Sequence, residues 1–190
     1  VRWKDGAARQ WEAMFSLDSS KPLITAITVD GTKVVERADP VYRCSTGKLR
    51  GGWDAFFDFP PNHPDGTRSF FQEFHPSAAV ARTVGDRVEI SFDGMRLGIF
   101  SGSLRYVFYP GSSLIQQVAV VSTNEPDTAY YYDAGLQMAA DKDRQPGGNM
   151  ASSIAYFDAN GKPQTIVPPY GSERHPLAVR YRAVAARTAG

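Results

Sequence analysis

GDRVEISFDGMRLGIFSGSLRYVFY, residues 85–109, decides the fold class. Its first half alternates with a period of two: Val88, Ile90 and Phe92 on one face, Arg87, Glu89 and Ser91 on the other. That period belongs to a β-strand and not to a helix. Asp93-Gly94 reads as a tight turn, Leu97–Phe100 as the return, and Ser101-Gly102 as a further turn. Leu104–Tyr109 is aromatic and β-branched, hence a strand, which Pro110-Gly111 ends.

The same pattern extends both ways. Within Arg9–Leu17, Trp11, Ala13, Phe15 and Leu17 share a face. Leu23–Val29 and Thr32–Glu36 flank Asp30-Gly31, a strong hairpin signal. Leu114–Ser122 is apolar on both faces in part and reads as a central strand. Thr128–Asp133 follows, with Tyr130 and Tyr132 on one face and Tyr131 on the other. Ile154–Phe157 and Gln164–Val167 bracket a loop containing Asn160-Gly161, and Leu177–Ala185 alternates once more. Ala134–Asp141 is the one place where a short helical turn is expected. The sum is an all-β chain of roughly nine to eleven antiparallel strands, a β-sandwich of mutarotase-like supersandwich or jelly-roll-like type, with under about a tenth of its residues helical. Trp11, Phe15, Val88, Ile90, Phe92, Leu104, Tyr106, Val118 and Val120 are the expected core.

At 190 residues the chain suits a single sandwich domain with a core large enough to need no staple. A net charge of +1 with interspersed signs offers no basic stripe, so nucleic acid is not an expected partner. No apolar run is long enough to span a bilayer. Cys44 is the single cysteine, which excludes an internal disulfide and argues against a thiolate metal site. An aromatic-rich, lysine-poor composition points to an exported protein, secreted or periplasmic.

Two stretches break the strand rhythm. Asp141–Ser153, DKDRQPGGNMASS, reads as a surface loop. Residues 48–78, KLRGGWDAFFDFPPNHPDGTRSFFQEFHPSA, combine aromatic side chains with carboxylates and imidazoles. Sugar sites need those two ingredients: aromatic faces against the apolar side of a pyranose, and polar groups for its hydroxyls. Trp53 is the expected stacking face. His75, Asp54 and Asp58 are the acid/base candidates, and His63 and Glu73 are further ligand contacts. The plainer alternative is that the aromatics plug one end of the sandwich and the aspartates serve turns. His63, His75 and His175 each precede a proline, which holds them extended. The spacing of His63 and His75 with Asp58 or Glu73 fits no compact metal motif, so no metal and no cofactor is assigned. Arg105 lies between core candidates and needs a carboxylate, Asp133 or Glu125, or a ligand. Tyr131 and Asp133 complete the ligand-binding set. No GxSxG, P-loop, GxGxxG or HExxH pattern is present.

Residues 11–31, WEAMFSLDSSKPLITAITVDG, and residues 85–136, ending in AYYYDAGL, together resemble the galactose-mutarotase-like β-sandwich domains of large bacterial carbohydrate-active proteins. The resemblance covers about half the chain. It implies a poly- or oligosaccharide ligand and, where chemistry occurs, a histidine–glutamate pair. His75 stands nearest the histidine, and no glutamate matches by motif. The family's fold is longer than this chain, so the resemblance implies a partial domain or a non-catalytic module of a bigger protein. The alternative is a secreted interaction module whose aromatic loop docks on a partner domain or subunit.

Overall fold

The computed structural model describes residues 1–48, 67–138, 151–167 and 177–188. Among them there is no helix, and fourteen strands carry the chain. The chain divides into two compact units, residues 1–139 and 140–190.

The first unit is an antiparallel sandwich of two curled sheets. Its first sheet runs β1 (Arg2–Lys4), β2 (Gln10–Phe15), β3 (Ile24–Val29), β4 (Thr32–Lys48) and β11 (Thr128–Met138), with β5 (Arg68–Phe71) also on β4. The second runs β10 (Ile115–Ser122), β9 (Phe100–Phe108), β8 (Arg87–Leu97) and β6 (Glu73–Phe74), with β7 (Ala79–Val84) also on β8. Asp30-Gly31 forms the expected hairpin turn, both residues with positive φ.

The core lies where the inner faces meet. Trp3, Ala13, Ile24, Ile27, Tyr42 and Cys44 from the first sheet pack against Phe92, Met95, Leu97, Leu104, Tyr106 and Phe108 from the second. Phe15 sits at the middle, its ring 5.2 Å from Phe92 and 5.1 Å from Tyr106. On the β1 side the sheets are tied together. Trp3 Nε1 donates to Ser112 O at 2.8 Å, and Gly111 N donates to Lys4 O at 2.7 Å.

Several expectations need correction. Asp93-Gly94 is no hairpin turn but a bulge inside β8, where one extra residue separates the pairs Phe92–Leu104 and Met95–Gly102. The turn comes later, at Gly98-Ile99 inside the expected Leu97–Phe100 return, and Ser101-Gly102 is not a turn but part of β9. Ala134–Met138 continues β11, paired with Ala38–Tyr42, so the expected helical turn is strand. Among the described strands β10 is an edge strand and not a central one. On it Val118 is half-buried and Val120 exposed; the inner face is Ile115, Gln117, Ala119 and Val121. A strand with apolar residues at four successive positions, 118–121, does not reveal its face by alternation. Finally, Glu89 is buried on the outer face instead of pointing to solvent.

The second unit holds β12 (Ala151–Asp158), β13 (Pro163–Ile166) and β14 (Val179–Thr188) in the order β13-β12-β14. Asp158 organises the β12–β13 loop, accepting from Asn160 N, Lys162 N and Gln164 Nε2 at 2.9 Å each.

Candidate functional site

The residues singled out by sequence do not converge among those described. Trp53, Asp54, Asp58 and His63 lie outside the described residues, as does His175. Glu73 is exposed on β6, opposite Arg96 of β8. His75 follows it into the corner before β7. The β8 bulge fixes that corner: Asp93 accepts from Ser77 N and Ser77 Oγ at 2.7 Å and from Ala78 N at 2.9 Å. Those bonds hold the Asp93 carboxyl below the usual carboxylate range, Ser77 contributing most. Gly94, at φ +75°, passes so close that a Cβ would stand 2.3 Å from the His75 carbonyl oxygen. His75 thereby lines a polar hollow of about 580 Å³ with Asp18, Lys21, Asp39, Gln72 and Gln137 among its walls. Asp18 and Asp39 are committed to backbone work there, accepting from Ser20 N and Leu23 N.

Tyr131 and Asp133 face the other way on β11, opposite Ser45 and Arg43 on the outer side of the first sheet. Arg105 is on the outer side of the second sheet. It meets neither Asp133 nor Glu125: its Nη1 lies 3.4 Å from Glu89, and Glu125 pairs with Arg68 at 2.9 Å. The expected Arg105 partners are therefore corrected to Glu89.

A cleft lies between the two sheets along their open side, where β10 and β11, each at the end of its sheet among the described strands, run without pairing to each other. Directly opposed residues of an antiparallel pair share a face. Tyr130 stands opposite Thr46, Tyr132 opposite Cys44 and Ala134 opposite Tyr42. Thr46, Cys44 and Tyr42 are buried on the inner face, so both tyrosines point into the sandwich opening and not away from it. They remain 49% and 60% exposed, with no described strand covering them there. Tyr130 leans edge-on against Phe100, with ring centres 5.3 Å apart.

This groove has a volume of about 380 Å³, with Leu97 and Phe100 among its apolar walls and Gln116, Gln117, Ala119 and Val121 along the β10 side. A second hollow of about 370 Å³ continues beyond Gln117, lined by Phe15, Ile24, Ile27, Ile115 and Leu136. Gln117 separates the two. Its Oε1 accepts from Tyr106 Oη at 2.8 Å, and its Nε2 donates to Tyr42 Oη and to Gly135 O, both at 3.2 Å. Burial pushes the Tyr42 and Tyr106 hydroxyls above the ordinary phenol range, so both stay protonated and the amide is held in one orientation. Burial likewise pushes the Cys44 thiol up, which makes it a poor nucleophile.

No carboxylate or imidazole is among the described residues lining the groove. It offers stacking faces and one fixed amide, which suits binding. Among the described residues no group of His, Cys, Asp and Glu side chains is arranged to hold a metal ion. No described helix is long and apolar enough to cross a membrane.

Sequence reasoning named Tyr131 as a ligand contact, whereas Tyr130 and Tyr132 line this groove, and it did not single out Gln117. A signal for Gln117 was present: two glutamines, Gln116 and Gln117, open an otherwise apolar strand, and one of them must face inward.

No family model, no curated protein and no solved structure matches the chain.

Proposed function

We propose that the protein is a carbohydrate-binding β-sandwich module, exported from the cytoplasm, whose ligand is a poly- or oligosaccharide laid along the groove between β10 and β11. One observation carries this reading. Two half-exposed tyrosines from one strand face a fixed glutamine amide across an open cleft. A pyranose presents an apolar face and a rim of hydroxyls. Tyr130 and Tyr132 supply the stacking surfaces, the remaining lone pair of Gln117 Oε1 supplies an acceptor, and the Tyr42 hydroxyl supplies a donor. The cleft is within the range of about 300–1,000 Å³ common for small-ligand sites, and its opening at the sheet edges leaves room for a chain. The bacterial mutarotase-like resemblance points to the same ligand class.

The test is a glycan array probed with the intact chain, followed by titration of the best ligand. Removing a stacked ring costs about 0.5–1.5 kcal/mol, so Tyr132→Ala is expected to weaken binding roughly two- to tenfold. Tyr132→Phe keeps the face and should bind nearly as the parent does. No glycan bound, or unchanged affinity in Tyr130→Ala and Tyr132→Ala, overturns the proposal and leaves the groove to a protein partner.

A further inference from the structure

The outer face of the second sheet carries an arrangement that neither the groove nor the core uses. Glu89 of β8 is 2% exposed, and three arginines converge on it. Arg82 stands directly across from it on β7 and gives both Nε, at 3.1 Å, and Nη2, at 2.8 Å, to Oε2. Arg87, two residues earlier on the same face, gives Nε to Oε1 at 2.9 Å. Arg105, from the neighbouring β9, approaches Oε2 with Nη1 at 3.4 Å.

One carboxylate has about four acceptor positions, whereas each guanidinium has five N–H donors. Glu89 also neutralises one charge and leaves two. Among the described residues no other carboxylate pairs with these arginines. Three like charges held around one centre repel one another, and that repulsion is relieved when a further anion joins them. The unused donors are accessible, since Arg82 and Arg87 are about half exposed. Arg105 Nε is buried and donates to no group among the described residues. The buried hub also fixes geometry. A guanidinium tethered at Nε by Glu89 presents its free edge in a set direction, and a forked edge is the shape that matches a carboxylate, sulfate or phosphate.

We propose that Arg82, Arg87 and Arg105 form a binding site for an oxyanion, with Glu89 as the buried group that holds them in array. The chemistry is that of a free anion, a sulfate ester or a uronate carboxylate; the site is separate from the groove and does not depend on it.

Calorimetric titration of the full chain at low ionic strength tests this with three probes: inorganic sulfate, a heparin-derived sulfated oligosaccharide, and an oligogalacturonate bearing carboxylates alone. The parent is expected to bind at least one of them, less tightly as chloride is added. The tightest of the three names the carrier. The variant Arg87→Gln, which leaves Glu89 paired with Arg82 and Arg105, should fold normally by circular dichroism and bind that probe about tenfold more weakly. Binding of a neutral glycan in the groove should be unaffected in it, which separates failure here from failure of the groove reading. Absence of binding by the parent to every probe, or equal binding by the variant, overturns the proposal.

Discussion

Both units of the chain are built from alternating strands, yet among the described residues only the first buries side chains. In the first, two sheets press Phe92, Phe108, Met95 and Leu104 to near-complete burial. In the second, no described side chain is buried, and Phe157, Tyr181 and Val184 are each about half exposed or more. Alternation decides that a segment becomes a strand; burial needs a second layer, and the described part of the second unit has a single sheet. The two units also solve the same loop problem at different depth. Asp5, 7% exposed, accepts from Ala7 N, Arg9 N, Arg9 Nε and Trp11 Nε1, while Asp158 gathers its donors at the surface.

The sharpest break of this contrast is in the core. Phe92 touches both Phe15 and Tyr106, and truncating it leaves a cavity between the sheets. Phe92→Ala is expected to cost about 3–5 kcal/mol in chemical denaturation. A loss under about 0.5 kcal/mol would mean that the inner face of β8 has been misassigned by one residue.

A smaller effect is expected from acid. The Trp11 indole N–H, helped by the Arg9 and Ala7 donors, holds the Asp5 carboxyl at about 2. The unfolded value is near 3.9. The folded value is the lower one, so the stabilisation is complete above about pH 4 and is lost as pH falls from about 4 to about 2. Asp5→Asn should lower the denaturation midpoint at pH 7 and flatten the decline over that window. A parent and variant that decline in parallel would show that Asp5 is not the group responsible. NMR titration should also find the Asp158 carboxyl below its ordinary range, through the backbone donors of its loop.

How much of this was legible in the sequence follows from what alternation can encode. It located β2, β3 and β9, which have one wet and one dry face, β12, which has a clear turn beside it, and β14, whose residues alternate in polarity. It failed on β10, where Val118 and Val120 are as apolar as Ala119 and Val121. It failed on Glu89 too, since a charged residue at an outward position is read as solvated, and its burial under arginines from β7 and β9 is a product of strand pairing. Asp93-Gly94 has hairpin-turn chemistry but serves a bulge, which depends on the contact with Ser77 and Ala78 and not on the dipeptide itself. The groove was the least legible feature. Whether Tyr130 and Tyr132 or Tyr131 faces it depends on the register with β4, and that β10 and β11 are both edges depends on the order of the sheets.

The smallest effect belongs to the second unit and tests the comparison from its weaker side. Phe157 and Tyr181 meet edge to face with ring centres 5.5 Å apart, but both rings are widely open to water. Removing Phe157 creates no enclosed cavity, since solvent fills the space. What is lost is the pair contact and a part of the apolar burial, about 0.5–1 kcal/mol. Phe157→Ala should therefore cost several-fold less than Phe92→Ala in the same denaturant series. Amide exchange should show the difference directly. Protection in β12 is expected to be low in the parent and to fall further in the variant, while protection in β8 and β9 stays high, as local opening free energies track how much apolar surface each segment buries. A cost for Phe157→Ala equal to that for Phe92→Ala would mean that β12 is packed as deeply as β8, and the distinction drawn between the two units would not hold.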